Sequence, residues 1–208
     1  MKKYFFYLAV AVMTIFFIAC NKNNLINGSL EIIEGNATLS IKAIKVQNGN
    51  SEIASAKIIL QTFKPTHDGD MIVYTATYKN GGFELNIPAT IPEGYLSPAS
   101  NILIFEDNIL LSDTQAKTTS FSIGAHNSTE TNIGGFSFSS GKWNLGFVYA
   151  DRSFTEKGIS KGGLEYDCSY KKGWNIVYWY WSEKNSIKTT QSPKNEKFIC
   201  SFSPNVAL

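Results

Sequence analysis

Short runs in which apolar and polar residues alternate, each closed by Gly, Asn, Ser or Lys, recur along almost the whole chain. Leu39-Ser40-Ile41-Lys42-Ala43 shows the pattern plainly, and Met71 to Tyr78 repeats it with Ile72, Tyr74, Ala76 and Tyr78 in step. Successive side chains of a strand point to opposite faces, so period-two alternation fits half-buried strands. Similar runs lie within Ser29 to Val46, Ala56 to Phe63, Phe83 to Pro88, Thr119 to Ile123, Gly135 to Phe138, Lys142 to Ala150, Leu164 to Tyr170, Trp174 to Trp181 and Lys197 to Phe202. After residue 20 no long stretch has helical period. Many short strands with turn residues between them predict an all-β chain, an antiparallel β-sandwich, either continuous or built as two packed sandwich-like halves. Asn80-Gly81 between two alternating runs predicts a hairpin. Pro88, Pro92 and Pro98 mark the seam, dividing the body into residues 29–98 and 99–208.

The start of the chain differs from all this. Lys2 and Lys3 precede an apolar run from Tyr4 to Ile18, and Phe17-Ile18-Ala19-Cys20 ends it with a small residue directly before a cysteine. A basic start, an apolar middle and a small-residue end make a secretion signal. The run is also shorter than the roughly 20 residues an α-helix needs to cross hydrocarbon. These residues resemble a bacterial lipoprotein signal, with Phe17 where Leu is usual. The resemblance implies removal of Met1 to Ala19, a diacylglycerol on Cys20 and a polar tether over residues 20–28. Several acyl chains, at about 0.8 kcal/mol per buried methylene, hold a protein to a membrane almost permanently. In such lipoproteins Asp after the cysteine signals retention in the inner membrane; Asn21 therefore implies the outer membrane. The abundance of Asn, Lys, Ile and aromatics is similar to that of Bacteroidota lipoproteins, and the choice between the periplasmic and the outward face stays open.

Nineteen Lys and Arg stand against seventeen Asp and Glu, a net charge of +2, and Lys2 and Lys3 account for the excess. A balanced mature body argues against nucleic acid as partner and against electrostatic docking on an anionic membrane, which needs a basic cluster. Beyond Cys20 only Cys168 and Cys200 remain. By alternation Cys168 shares a face with Leu164, Tyr166 and Tyr170, and Cys200 with Phe198 and Phe202, so both point into a core. In an oxidising compartment they form either a disulfide, worth roughly 3 to 4 kcal/mol for a loop of about 30 residues, or two buried free thiols.

Between Ser29 and Pro98, a strand, a turn and Gly81-Gly82-Phe83-Glu84-Leu85-Asn86-Ile87-Pro88 resemble the transthyretin-like β-sandwich modules found beside carboxypeptidases and in Bacteroidota surface proteins. Such modules are structural or binding units, so the resemblance brings no catalytic residue. From Gly134 on, Gly134-Gly135-Phe136, Val148-Tyr149-Ala150-Asp151 and Lys171-Lys172-Gly173-Trp174-Asn175 are similar to a group of Bacteroidota lipoproteins to which no activity is attached.

Three constellations bear on chemistry. Gly158-Ile159-Ser160-Lys161-Gly162 has the Gly-x-Ser-x-Gly spacing of a nucleophile elbow. Both histidines, His67 and His126, precede it, and strand patterns flank it on both sides, so a glycine-flanked hairpin loop is expected. His67, Asp68 and Asp70 form a compact cluster of candidate metal ligands, but lack the acidic spacing of an EF-hand and the ligand count of a zinc site. The sequence therefore assigns no catalytic residue, no metal and no cofactor. Trp174 to Trp181 is more informative: Ile176, Tyr178 and Tyr180 fall on one face of a strand, and Val177, Trp179 and Trp181 on the other. One face of a sandwich strand fills the core. The other is either covered or open, and open Trp and Tyr rings suit sugar faces or protein surfaces. Trp174, Trp179 and Trp181 are the candidate stacking residues. The expectation is a lipid-anchored binding or assembly component that holds a glycan or a protein and is not an enzyme; the alternative from another class is a hydrolase with His67 or His126 beside a carboxylate and a hydroxyl in one cleft.

Overall fold

The computed structural model describes residues 30–34, 38–61, 71–104, 108–183 and 185–205. Cys20 and its tether lie outside the described residues. The first strands are β1 (Leu30–Glu34), β2 (Thr38–Ala43), β3 (Ser55–Gln61), β4 (Met71–Thr77) and β5 (Phe83–Pro88). A short connection follows, holding β6 (Ser97–Pro98), a 3-10 turn at Ala99–Ile104 and β7 (Ile109–Leu111). Then come β8 (Lys117–Ser120), β9 (Ile123–His126), β10 (Asn132–Ser139), β11 (Trp143–Ala150) and β12 (Phe154–Ile159). The chain closes with β13 (Leu164–Tyr170), β14 (Gly173–Tyr180), β15 (Ser186–Thr189) and β16 (Ile199–Pro204). Among the described residues there is no α-helix, and no helix is long and apolar enough to cross a membrane.

The strands form a sandwich-like arrangement and not a closed barrel. One layer is the three-stranded sheet β1-β2-β5. The larger sheet divides at β10. β16 runs along one edge of that strand, while the other edge is shared by β9 at its start and β11 at its end. The β10–β11 hairpin pairs only at Phe138↔Leu145 and Ser139↔Asn144, so β11 peels away to pair with β14 and β8. One wing is therefore β4-β3-β9-β10-β16, and the other runs β8-β11-β14-β15-β13-β12-β7.

Alternation decides which side chains fill the space between layers. Leu39, Ile41, Leu85 and Ile87 from the three-stranded sheet meet Ile58, Phe136, Phe147 and Phe202 from the larger one in the main core. A second, smaller core gathers Ala116, Ala150, Phe154, Cys168, Tyr170 and Val177. β11 and β14 stand between the two. Phe147, Tyr149 and Tyr178 face the main core, and Ala150 and Val177 face the second. That explains why Trp174 to Trp181 is bulky on both faces: both faces are covered over most of its length.

The structure corrects several expectations. Asn80 and Gly81 do adopt the left-handed turn conformation, at φ 54° and 77°, and Lys79 and Gly82 exchange both backbone hydrogen bonds. The flanking strands, however, do not pair into a hairpin. β4 pairs with β3 and β5 with β2, in different sheets. Both inner rows are apolar, so each needs the opposite layer to bury against, and the chain turns the corner from one layer to the other. At the two ends of the apolar run Asn101 to Leu111, residues 101–104 close a 3-10 turn and 109–111 form β7. β15 is absent from the runs that alternation picks out, being short and mostly polar, whereas the strand pattern ahead of the Gly158–Gly162 loop is β12, Phe154–Ile159. β3 hydrogen-bonds to β9, so strands from residues 29–98 and 99–208 share one sheet and one core.

Candidate functional site

Register places a set of unlike side chains on the inner face of the second wing. Trp179 of β14 pairs with Lys188 of β15, Lys188 with Tyr166 of β13, and Glu156 of β12 with Cys168. Paired residues point to the same face and their two-residue neighbours follow. Trp179, Lys188, Tyr166, Cys168, Tyr170 and Glu156 therefore line one continuous surface.

At one end of that surface is a groove of about 400 Å³ lined by Ser160, Leu164, Tyr166, Trp179, Trp181 and Lys188. Trp181 is 60% exposed just beyond the end of β14. Trp179 is half-buried, with its inner side against the second core. Its ring occupies the space that Gly146 leaves open: a Cβ there would stand 2.8 Å from Cη2 and Cζ3. Lys188 lies over the Tyr166 ring, Nζ 5.0 Å from the centroid, a cation–π arrangement that favours a fixed lysine position.

Deeper along the same face, Glu156 is buried. Tyr170 Oη donates to Glu156 Oε2 at 2.8 Å, and Lys188 Nζ donates to the same oxygen at 2.9 Å. Burial, followed by the Glu156 charge, pushes the Tyr170 phenol far above its ordinary value, so it stays a neutral hydroxyl able to donate to the carboxylate. Lys188 thus joins the aromatic groove to the buried carboxylate.

The two thiols are not bridged. Cys168 and Cys200 are free and buried, one in the second core and the other in the main core. The bridge alternative is thereby corrected: alternation rightly turns both inward, but toward different clusters. Burial raises the Cys168 thiol to about 11 and the Cys200 thiol to about 12, so thiolate chemistry is suppressed at both.

Trp174 does not join the groove. Its Nε1 donates to the Pro88 carbonyl at 2.8 Å, and its ring meets Phe121 and Tyr149 edge-on, so it ties β14 to the three-stranded sheet. Ser160 sits in the β12–β13 turn, where its Oγ accepts from Leu164 N at 3.1 Å, as a hairpin loop requires. Gly158 has φ +138°, and a side chain there would collide with the Asn108 carbonyl. That glycine is explained by close approach of a neighbouring chain segment.

His126 pairs in register with Ser55. Both are buried, and His126 Nδ1 and Ser55 Oγ have no hydrogen-bond partner; Ser55 is therefore not held against an imidazole base. His67, Asp68 and Asp70 lie outside the described residues. Among the described residues no group of three or more His, Cys, Asp or Glu could hold a metal ion.

Sequence reasoning found Trp179 and Trp181 but missed Tyr166, Lys188 and Glu156 as their neighbours. A signal for Glu156 was present, since Phe154, Glu156 and Gly158 alternate. No comparable signal exists for Lys188, on a four-residue polar strand. Comparison with family models, with curated proteins and with solved structures finds no match.

Proposed function

We propose that this chain is a lipid-anchored protein of the outer membrane that binds carbohydrate without cleaving it. The observation that carries the reading is the convergence of Trp179, Trp181 and Tyr166 on one groove with the Trp181 ring 60% exposed. Apolar faces of sugar rings stack on such surfaces, and a groove with a few polar groups beside aromatic walls is the usual form of a small-ligand site. Lys188 supplies a donor for ring hydroxyls at the groove floor. Glycosidic hydrolysis generally uses a pair of carboxylates flanking the bond, and no Asp or Glu is among the described residues lining the groove. Anchoring rests on the resemblance of the residues up to Cys20 to a lipoprotein signal.

The test is retention on a panel of immobilised polysaccharides. Wild-type protein should be retarded by at least one, and Trp181→Ala should lose that retardation at unchanged thermal midpoint, since Trp181 contributes little burial. Equal retention of the two proteins, or none by wild type across the panel, would reject carbohydrate binding at this groove. Metabolic labelling with an alkyne-bearing fatty acid should mark the wild type and spare Cys20→Ala.

A second reading, assembly with another protein, is favoured by β4. That strand ends the larger sheet, and Met71 and Val73 on it are exposed together with Ile59 of β3 on the same face. Exposed apolar edge strands invite strand addition. Cross-linking through a cysteine placed at Thr75 would capture such a partner.

A further inference from the structure

Behind Lys188, on the same inner face, lies a cavity of about 270 Å³ between the β6–β8 segment and β12, β13 and β15. Glu156, Tyr170 and Lys188 line one side, Thr118 and Ser120 another, and Val148 and Phe154 supply apolar wall. We propose that this cavity is a subsite for one neutral sugar ring, entered alongside the Trp181 groove and separated from it by the Lys188 side chain. The proposal rests on the carbohydrate reading above and adds a residue-scale pocket to it.

The arrangement of the buried carboxylate is the main reason. Tyr170 and Lys188 both donate to Oε2, and among the described residues no side chain or backbone group donates to Oε1. A carboxylate held this way keeps one oxygen as a strong acceptor beside an open volume. Lys188 has already balanced its charge, so the cavity offers acceptor strength without net charge. A hydroxyl donor gains from that oxygen, whereas an ammonium would meet a charge that is already paired. The Thr118 and Ser120 hydroxyls can both give and accept, which fits a ring bearing several hydroxyls, and Phe154 with Val148 fits its C–H face.

Stability alone gives a poor account of the same residues. A buried ion pair is often no better than well-packed apolar side chains of equal volume, yet Glu156 is only 4% exposed. Water could occupy such a volume, since it is polar enough and large enough, and the experiment separates the two occupants.

The probe is a set of methyl glycosides of glucose, galactose, mannose and N-acetylglucosamine at millimolar concentration, followed by saturation-transfer NMR. At least one should bind wild type and bind Trp181→Ala equally, because a single ring in the cavity does not need the outer indole. Glu156→Gln should weaken it about tenfold, a charge-assisted acceptor being roughly twice as strong as a neutral one. Val148→Phe, which fills the cavity without altering charge, should abolish it and decides the matter if Glu156→Gln does not fold. No binding of any methyl glycoside to wild type, or binding undiminished in Val148→Phe, means a cavity that holds only water and overturns the proposal. Polysaccharide retention that falls in Trp181→Ala and persists in Val148→Phe would reject the subsite while leaving the groove reading intact.

Discussion

The main core and the second core are built on opposite faces of the same two strands, β11 and β14, yet they differ in kind. Between the three-stranded sheet and the first wing, the main core is made almost wholly of aliphatic and aromatic side chains, with Leu39, Ile41, Ile58, Leu85 and Ile87 essentially inaccessible. The inner face of the second wing mixes Phe154, Val177 and Ala150 with a carboxylate, an ammonium and a phenol, and has a cavity beside them. Close packing without polar atoms is the arrangement that stabilises a fold. Leaving volume open next to a buried charge does the opposite, and that contrast is the reason the proposed ligand site is assigned to the second wing.

The largest effect that would sharpen this contrast is loss of a main-core ring. Phe147 stacks on Phe121 and meets Phe138 edge-on, so Phe147→Ala should cost about 3 to 5 kcal/mol in a denaturant titration. The second wing should respond differently. Glu156→Leu alone leaves Lys188 without its partner and should destabilise by about 1 to 3 kcal/mol, less than for a fully buried pair because the Lys188 side chain is 24% exposed. Glu156→Leu with Lys188→Met should recover all of that loss or more. A double variant as unstable as the single one would show that the ion pair holds the wing together, and the proposed division of labour would break.

A smaller effect concerns the groove wall. Gly146→Val inserts atoms where the Trp179 ring now lies and should cost about 1 to 3 kcal/mol, as overpacking does. Because the ring must move, the same change should shift the tryptophan emission and weaken polysaccharide retention together. An unchanged spectrum would mean that the ring has another place to go.

Most of the fold was legible because alternation is a local signal. β5 and β13 fall on the residues expected, and Leu164, Tyr166, Cys168 and Tyr170 are all buried as their spacing requires. Pairing was less legible. Asn80-Gly81 specifies a turn, but which sheet each flanking strand joins depends on layers that form from distant residues. The candidate site was legible only where bulk betrayed it, at Trp179 and Trp181. Glu156 and Lys188 meet across 32 residues of sequence; Glu156 at least alternates with Phe154 and Gly158, but nothing local marks Lys188 as inward-facing on a strand. Trp174 shows the converse: composition made it a stacking candidate, and its hydrogen bond to Pro88 makes it a structural tie instead.

The smallest expected effect belongs to the first wing, where His126 is buried on β9 beside Ser55, on the face turned away from Ile123, Ala125 and the main core. Burial first, and the Lys57 charge second, hold its imidazole below the ordinary value of 6.5, with only the Gly124 backbone working against them. The folded state therefore keeps the neutral ring at a pH where the unfolded chain has already taken up a proton. Unfolding then binds protons, and stability rises with pH across that interval. It should be complete above about pH 7.5 and should fall as pH drops below 6.5 toward the lower folded value. His126→Gln should flatten that slope while retaining the dependence below about pH 5 that carboxylates impose. If the denaturation midpoint of wild type and variant fell in parallel between pH 7.5 and 5.5, the loss would have to come from another group, and His126 would give the first wing no titrating element to set against the Glu156–Lys188 pair of the second wing.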